Sequence, residues 1–212
     1  MNKIYPYGKD NSSLILKGSW EWGANWEFFH SYERPSGLLT TSAICILLCE
    51  EGIVLTKTIK GGWELTGGRC NIYKNGEIEP VYDALKREVK EESGACLDWF
   101  TEAGVKVIYN LDKNNIVYSE SGMPFPQKAF QEYFIGWCSL PLSDYTGEEV
   151  LDTKIFHPKL IDKELLNNMP EPFEFLFLLD SFLNNYTKVP LEIKNFAIKY
   201  KDIIRNLKMD MV

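Results

Sequence analysis

Apolar runs separated by short polar segments predict several strands in the first half of the chain. SAICILLCEEGIVLTKTI (residues 42–59) contains two apolar, β-branched runs that are separated by Glu50, Glu51 and Gly52. Two such runs joined by a short glycine-containing turn are typical of a β-hairpin, in which the glycine is available for a positive φ. WELT (residues 63–66) predicts a third strand that ends at Gly67 and Gly68.

The periodicity then changes to that of a helix. Pro80 is tolerated in a first helical turn because its missing N–H is not needed there. Apolar residues recur at helical spacing after it, and Gly94 supplies a stop. Apolar runs at residues 105–111, 130–138 and 153–156 predict further strands, and the tail predicts two helices, PFEFLFLLDSFL (172–183) and an amphipathic one beyond it.

Both ends of the chain carry aromatic or apolar residues that must be covered. In WEWGANWEFF (residues 20–29) the aromatic rings could stack on a nucleobase, or pack as an added sheet edge or subunit contact, and we favour packing. The apolar faces of the tail helices require either the rest of the chain or a second copy, so a homodimer is the alternative to intramolecular packing.

Composition excludes several classes of protein. The net charge of −7 and the pI of about 5.0 argue against binding of long nucleic acid, which needs clustered Lys and Arg. The five cysteines lack CxxC pairing, so zinc or a disulfide framework is not expected. The start MNKIYPYGKD lacks the apolar stretch of a signal peptide, and residues 38–49 are too short to span a membrane. We expect a cytoplasmic protein with reduced thiols.

The predicted helix carries a concentration of carboxylates in REVKEESG, residues 87–94. Residues three and four apart share a helix face, so Glu88, Glu91 and Glu92 point the same way. These like charges repel one another, whereas a hard cation such as Mg²⁺ would bind them. The alternative is an ordinary solvated surface, on which Lys86, Arg87 and Lys90 pair with the glutamates.

The wider spacing resembles the Nudix box, written G-x5-E-x7-R-E-U-x-E-E-x-G-U with U a bulky aliphatic residue. Every specified position from Glu79 to Gly94 is matched. Two departures are the ten residues between Gly68 and Glu79, where the family has five, and Ala95 in place of a larger aliphatic residue. Asn75 and Gly76 indicate an extra turn in the longer loop.

This resemblance implies an α/β fold, the Nudix-type α/β/α sandwich with a mixed sheet. It divides the chain into an N-terminal extension (1–37), a Nudix hydrolase core (38–165) and a C-terminal helical addition (166–212). It also implies divalent cations, Mg²⁺ or Mn²⁺, and assigns roles at the site to a short set of residues. The implied metal ligands are Glu88, Glu91, Glu92 and the carbonyl of Gly68, and the implied catalytic residues are Glu88, Arg87 and Glu92.

Other roles in the resemblance are open between residues. Arg87 is expected to pair with a carboxylate, of which Glu79 is one, and to hold Glu88 in place. The general base is either Glu88 or a glutamate from the loop SLPLSDYTGEEVLD (139–152), which offers Glu148 and Glu149. For these two, exposed loop charges are the simpler alternative.

The resemblance implies a pyrophosphohydrolase that cleaves a nucleoside diphosphate linked to another group, such as ADP-ribose or a modified nucleoside triphosphate. The partner is then a small nucleotide. The competing hypothesis is a catalytically idle Nudix domain that acts as a nucleotide sensor or regulator. Such regulators usually carry a DNA-binding winged helix, and their boxes often lose the glutamates. Here all box glutamates are present and no recognisably basic recognition helix stands out in the tail, although the tail does carry Lys194, Lys199, Lys201, Arg205 and Lys208.

Overall fold

Fourteen elements are arranged along the part of the chain that the structure describes. The computed structural model describes residues 14–19, 25–29, 40–59, 62–109, 129–170, 172–185 and 188–209. The strands are β1 (Leu14–Ser19), β2 (Asn25–Phe29), β3 (Thr40–Cys49), β4 (Gly52–Thr58), β5 (Trp63–Glu64), β6 (Thr66–Arg69), β7 (Leu97–Tyr109), β8 (Ala129–Cys138) and β9 (Val150–Phe156). The helices are α1 (Val81–Ser93), α2 (Lys163–Asn167), α3 (Pro172–Asn185) and α4 (Leu191–Met209), with a 3₁₀ helix at Pro158–Leu160.

The described strands form one mixed sheet with flanking helices, which confirms the predicted α/β class. Its hydrogen-bonded order is β1-β2-β7-β8-β3-β4-β5, with β6 paired to β3 and β9 paired to β4. Strands β3 and β4 are buried almost throughout, and each contains a continuous apolar run, residues 43–49 and 53–55, as expected for strands covered on both faces. None of the described helices is both long and apolar enough to cross a membrane.

The chain divides into two compact units, each made of three segments. The first contains Met1–Ile44, Gly68–Leu85 and Glu102–Tyr133, and the second contains Cys45–Gly67, Lys86–Thr101 and Phe134–Val212. All the contacts described below lie within one unit or the other.

In the first unit, the described part of the Trp-rich segment adds an edge to the sheet. Strand β2 pairs with both β1 and β7, all antiparallel. Phe29 packs with Val105, Val107 and Phe130, and Trp26 packs against Ile108 and Ala129. The packing interpretation of this segment is therefore confirmed for residues 25–29, while residues 20–24 lie outside the described part.

In the second unit, α3 and α4 fold back onto the chain that precedes them. The ring of Trp137 on β8 packs edge-on against Phe196 of α4 at a centroid distance of 6.2 Å, and Trp99 of β7 lies 6.1 Å from Phe182 of α3. The buried carboxylate of Asp180 on α3 forms an ion pair with Lys208 of α4. The apolar faces of the tail are thus covered within this chain.

Several local predictions need correction. Gly52 begins β4 without a positive φ, and it is required for another reason: a Cβ there would lie 2.3 Å from the carbonyl oxygen of Phe156 on β9. Gly67 and Gly68 lie inside β6 and do not end a strand. Strand β7 begins eight residues earlier than predicted, because its first half is only partly buried and shows no continuous apolar run.

Candidate active site

The box helix α1 presents its carboxylates on a side that differs from its core face. Val81, Ala84, Leu85 and Val89 are buried, as the spacing predicts. Glu88 and Glu91 are partly exposed, with side-chain exposures of 13% and 44%. Gly94 ends the helix with a φ of 71°, a conformation that glycine adopts without strain.

Arg87 connects two of the predicted metal ligands. Its Nη1 atom donates to Oε1 of Glu88 at 2.9 Å and to Oε2 of Glu91 at 3.0 Å. A planar guanidinium with several donors is suited to holding two carboxylates in fixed positions. The predicted link from Arg87 to Glu88 is therefore present, and Glu91 shares it.

Glu92 lies in the most unusual environment of the site. Its Oε2 accepts a hydrogen bond from the backbone N–H of Gly67 at 2.8 Å. Burial is the main cause that raises the pKa of Glu92 to about 7; the charges of Glu88, Glu64 and Glu149 act in the same direction, and the Gly67 hydrogen bond acts against them. Three other carboxylates are thus close enough to influence Glu92.

Glu64 belongs to this group and was missed by sequence reasoning. The register of the sheet places Glu64 of β5 opposite Thr56 of β4, and Thr56 opposite Thr153 of β9. Side chains at paired positions share one face of a sheet, so the three form a row. The signal in the sequence was a charged residue inside a short predicted strand, three positions before Gly67.

Thr153, the last residue of this row of paired side chains, contacts the end of α1. Its hydroxyl donates to the backbone carbonyl of Glu92 at 2.9 Å. The loop before β9 bonds the same helix end: the N–H groups of Thr146 and Gly147 both donate to the carbonyl of Glu91 at 2.8 Å, and the N–H of Ser143 donates to the carbonyl of Gly94. This loop therefore caps the box helix.

The structure distinguishes between the two loop glutamates. Glu149 is close enough to Glu92 to raise its pKa, and its carbonyl accepts from the N–H of Ile59 at 2.9 Å. Both glutamates are exposed, and none of the described contacts of the site includes Glu148. The role of Glu148 or Glu149 as a fourth carboxylate stays a prediction.

The longer loop before the helix forms a small hairpin. Ile72 and Ile78 form an isolated β-bridge, and the N–H of Gly76, whose φ is 84°, donates to the carbonyl of Tyr73 at 2.8 Å. The extra turn predicted at Asn75 and Gly76 is therefore confirmed. Buried Glu79 closes the hairpin, since its Oε2 accepts from the N–H of Asn71 at 2.9 Å. The roles of Gly68 as a metal ligand and of Glu79 as a partner of Arg87 stay predictions.

The donor set suits a hard divalent cation. As the side chains are placed, no three Asp, Glu, His or Cys residues of the described chain are grouped at distances that would hold an ion directly. Among the described residues, Glu91 and Glu92 each accept hydrogen bonds through Oε2, which leaves Oε1 as an acceptor there. Carboxylate oxygens are the ligands that Mg²⁺ and Mn²⁺ prefer, and added positive charge would relieve the repulsion around Glu92.

A cavity of about 430 Å³ lies elsewhere in the second unit. It is lined by Glu50, Glu51, Ile155, His157, Leu160, Lys199 and Tyr200. None of these residues belongs to the carboxylate group, so the candidate active site rests on the carboxylates and not on this cavity.

Comparison with known proteins identifies a similar fold among solved structures, but the sequence comparisons find no match. No protein-family model matches the chain, and no curated protein sequence matches it. A mutant form of the pyrophosphohydrolase BsRppH of Bacillus subtilis matches with a TM-score of 0.53 and 15% identity over 73% of this chain and 84% of that chain. The NUDIX domain of NrtR from Shewanella oneidensis, solved with ADP ribose, has a TM-score of 0.48 and 13% identity over 72% and 94% of the two chains.

A NUDIX hydrolase from Nitrosomonas europaea has a TM-score of 0.47 and 15% identity over 73% of this chain and 95% of that one. Of these three, only BsRppH exceeds a TM-score of 0.5, and at such low identity its likeness concerns the fold alone. The box residues and this superposition agree, and the chain has the Nudix fold.

Proposed function

We propose that the protein is a pyrophosphohydrolase that depends on Mg²⁺ or Mn²⁺ and cleaves a nucleoside diphosphate linked to another group. ADP-ribose and modified nucleoside triphosphates belong to this substrate class. The observation that carries the proposal is the group of carboxylates at the end of the box helix, where Arg87 joins Glu88 to Glu91 and the N–H of Gly67 donates to Glu92. The protein with the matching fold, BsRppH, is itself a pyrophosphohydrolase.

Glu88, Glu91 and Glu92 would hold the cation, with the carbonyl of Gly68 as a further ligand. When bound, a divalent cation neutralises diphosphate oxygens and lowers the pKa of water. An acidic protein can bind an anionic nucleotide in this way, because the cation lies between the two sets of negative charges.

The protein's own groups would position the reactants and move one proton. Hydrolysis breaks one P–O bond of the diphosphate and forms a new one to the oxygen of water, whose proton passes to a carboxylate. Glu88, held by Arg87, and Glu149, on the loop that caps α1, are the two candidates for this base. Arg87 acts as a positioning residue, since its contacts are to Glu88 and Glu91.

The partner in this proposal is a small nucleotide, and the compartment is the cytoplasm. All five cysteines are free thiols, and burial raises the pKa of Cys45 and Cys49 and brings that of Cys138 to about 12. Unpaired thiols of this kind are typical of a reducing environment.

The experiment is a hydrolysis screen with Mg²⁺ or Mn²⁺. Its substrates are ADP-ribose, NADH, dinucleoside polyphosphates, nucleotide sugars and plain or oxidised nucleoside triphosphates, with phosphate release coupled to a phosphatase where the product requires it. Glu92→Gln is the inactive control, and Glu50→Gln, an exposed glutamate in the β3–β4 turn, is the matched active one.

Metal-dependent turnover that Glu92→Gln loses and Glu50→Gln keeps would support the proposal. Turnover that both variants keep would contradict it. Nucleotide binding without turnover of any substrate would favour the sensor hypothesis.

A further inference from the structure

Three exposed apolar residues of the acidic loop and the adjoining strands are linked through hydrogen bonds to backbone carbonyls. Ile59 is 59% exposed, Tyr145 is 37% exposed and Leu151 is 56% exposed. The hydroxyl of Tyr145 donates to the carbonyl of Leu151 at 3.0 Å, and the N–H of Ile59 donates to the carbonyl of Glu149 at 2.9 Å. We call these three residues the apolar patch.

A β-bulge directs Leu151 outward. In the pairing of β4 with β9, Lys57 is opposite Asp152 and Thr58 is opposite Val150, so Leu151 is an extra residue on β9. Bulges of this kind occur next to active sites, where they re-aim a side chain. Here the bulged residue both exposes its apolar side chain and supplies the carbonyl that holds the phenol of Tyr145.

The apolar patch is continuous with the candidate active site. Tyr145 directly precedes Thr146, whose N–H donates to the carbonyl of Glu91 at 2.8 Å. Glu149, bonded to Ile59 through its backbone, is close enough to Glu92 to raise its pKa. The same loop therefore carries both an acidic group of the site and an aromatic ring.

We propose that the apolar patch binds the aromatic base of the nucleotide, with the ring of Tyr145 as the stacking surface. This inference rests on the proposed function and names the part of the substrate that lies outside the carboxylates. The hydroxyl of Tyr145 is already bonded, so its ring is held in place and offers an apolar face.

The charges around the apolar patch favour an uncharged base over a phosphate. Asp144, Glu148 and Glu149 flank it along the chain, while the nearby carboxylate of Asp152 is paired with Lys154 at 3.1 Å. Their negative charge disfavours a phosphate or carboxylate at this position, whereas an uncharged base is accepted and its amino groups can donate to carboxylates.

The test compares binding of AMP with binding of ribose 5-phosphate by titration calorimetry in Mg²⁺. Both probes carry one phosphate on a ribose, so their difference isolates the base. Stacking of one base on an aromatic side chain corresponds to roughly 5- to 150-fold in affinity. We expect the wild-type protein to prefer AMP by an amount in this range.

Tyr145→Ala should lower AMP affinity to that of ribose 5-phosphate, whose own affinity should not change. Tyr145→Phe keeps the ring and should keep most of the preference. The matched control is Tyr73→Ala, which removes another exposed tyrosine, 46% exposed, from the hairpin before the box helix. It should bind both probes as the wild type does.

The inference is overturned if the wild type does not distinguish the two probes, or if Tyr145→Ala weakens both equally. It is also overturned if sedimentation shows a wild-type dimer that Tyr145→Ala dissociates, because the apolar patch would then contact a second chain. A preference for AMP that requires Tyr145, in a protein that hydrolyses no substrate, would support this inference and contradict the proposed function. Conversely, if the protein hydrolyses a substrate and Tyr145→Ala leaves the KM unchanged, the proposed function would be supported and this inference would be contradicted.

Discussion

At the scale of single residues, Glu92 combines burial and like-charged neighbours with one backbone hydrogen bond. Because its pKa in the folded chain, about 7, exceeds the ordinary 4.5, the folded state holds this proton more tightly than the unfolded state does. The resulting stability is complete below pH 4.5 and is lost as the pH rises through 7. We therefore compare the free energy of unfolding of Glu92→Gln with that of the wild type in the presence of a chelator. The difference, variant minus wild type, should be about 1 to 3 kcal/mol larger at pH 8 than at pH 5.

Denaturant melts at the two pH values measure this difference. Glutamine can still accept the N–H of Gly67, so the hydrogen bond is retained while the charge is removed. Glu50→Gln is the control and should show the same difference from the wild type at both pH values. An equal effect of Glu92→Gln at pH 5 and pH 8 would contradict the described environment.

At the same scale, substitution of Arg87 distinguishes positioning of the carboxylates from binding of the metal. Arg87→Ala removes the donors to Glu88 and Glu91 but leaves the carboxylates, so turnover should fall by about 10- to 100-fold, as for other residues that orient metal ligands. Stabilisation by Mg²⁺ should persist. Arg87→Lys keeps the charge without the planar fork and should recover only part of the activity. Steady-state kinetics and thermal melts on each variant test this division, and loss of the metal effect in Arg87→Ala would refute it.

At the scale of elements, the end of α1 is held by the loop that follows β8. Gly94 has a φ of 71°, and a Cβ there would lie 1.8 Å from the carbonyl oxygen of Ser143. Gly94→Ala should therefore cost both backbone strain and the cap made by this loop, together about 2 to 4 kcal/mol.

Gly76→Ala is the matched control for that substitution. Gly76 also has a positive φ, 84°, but no atom of the described residues beyond its two chain neighbours lies within 4 Å of an added Cβ. Gly76→Ala should therefore lower the free energy of unfolding only by the strain of the left-handed conformation, about 1 kcal/mol. Chemical denaturation of the two variants measures the difference, and equal losses would show that the contact with Ser143 is not needed.

The element scale also shows why sequence alone identified some parts of the site and not others. The spacing of Val81, Leu85 and Val89 repeats within one helix, so it predicts α1 and the side on which its glutamates lie. Glu64 and Thr153 meet α1 only through the register of β5, β4 and β9, which local periodicity does not specify. Which of Glu148 and Glu149 lies nearer to Glu92 depends on how the loop docks, and adjacent residues in a loop carry no signal for that.

At the scale of the whole molecule, metal binding and folding should be linked. A ligand that binds only the folded state stabilises it by about 2.7 kcal/mol at one hundred times its Kd. For a chain of 212 residues, each kcal/mol raises Tm by about 2 to 4 °C. Saturating Mg²⁺ should therefore raise the Tm of the wild type by about 5 to 10 °C.

The double variant Glu91→Gln/Glu92→Gln tests which residues cause this shift. It keeps the side-chain volumes and the hydrogen-bond acceptor for Gly67 but removes two negative charges from the end of α1. Its Tm without metal should equal or exceed that of the wild type, because repulsion among the carboxylates is reduced. Mg²⁺ should then change its Tm by less than about 2 °C. Equal shifts in both proteins would mean that the cation binds elsewhere, and the assignment of Glu91 and Glu92 as ligands would be wrong.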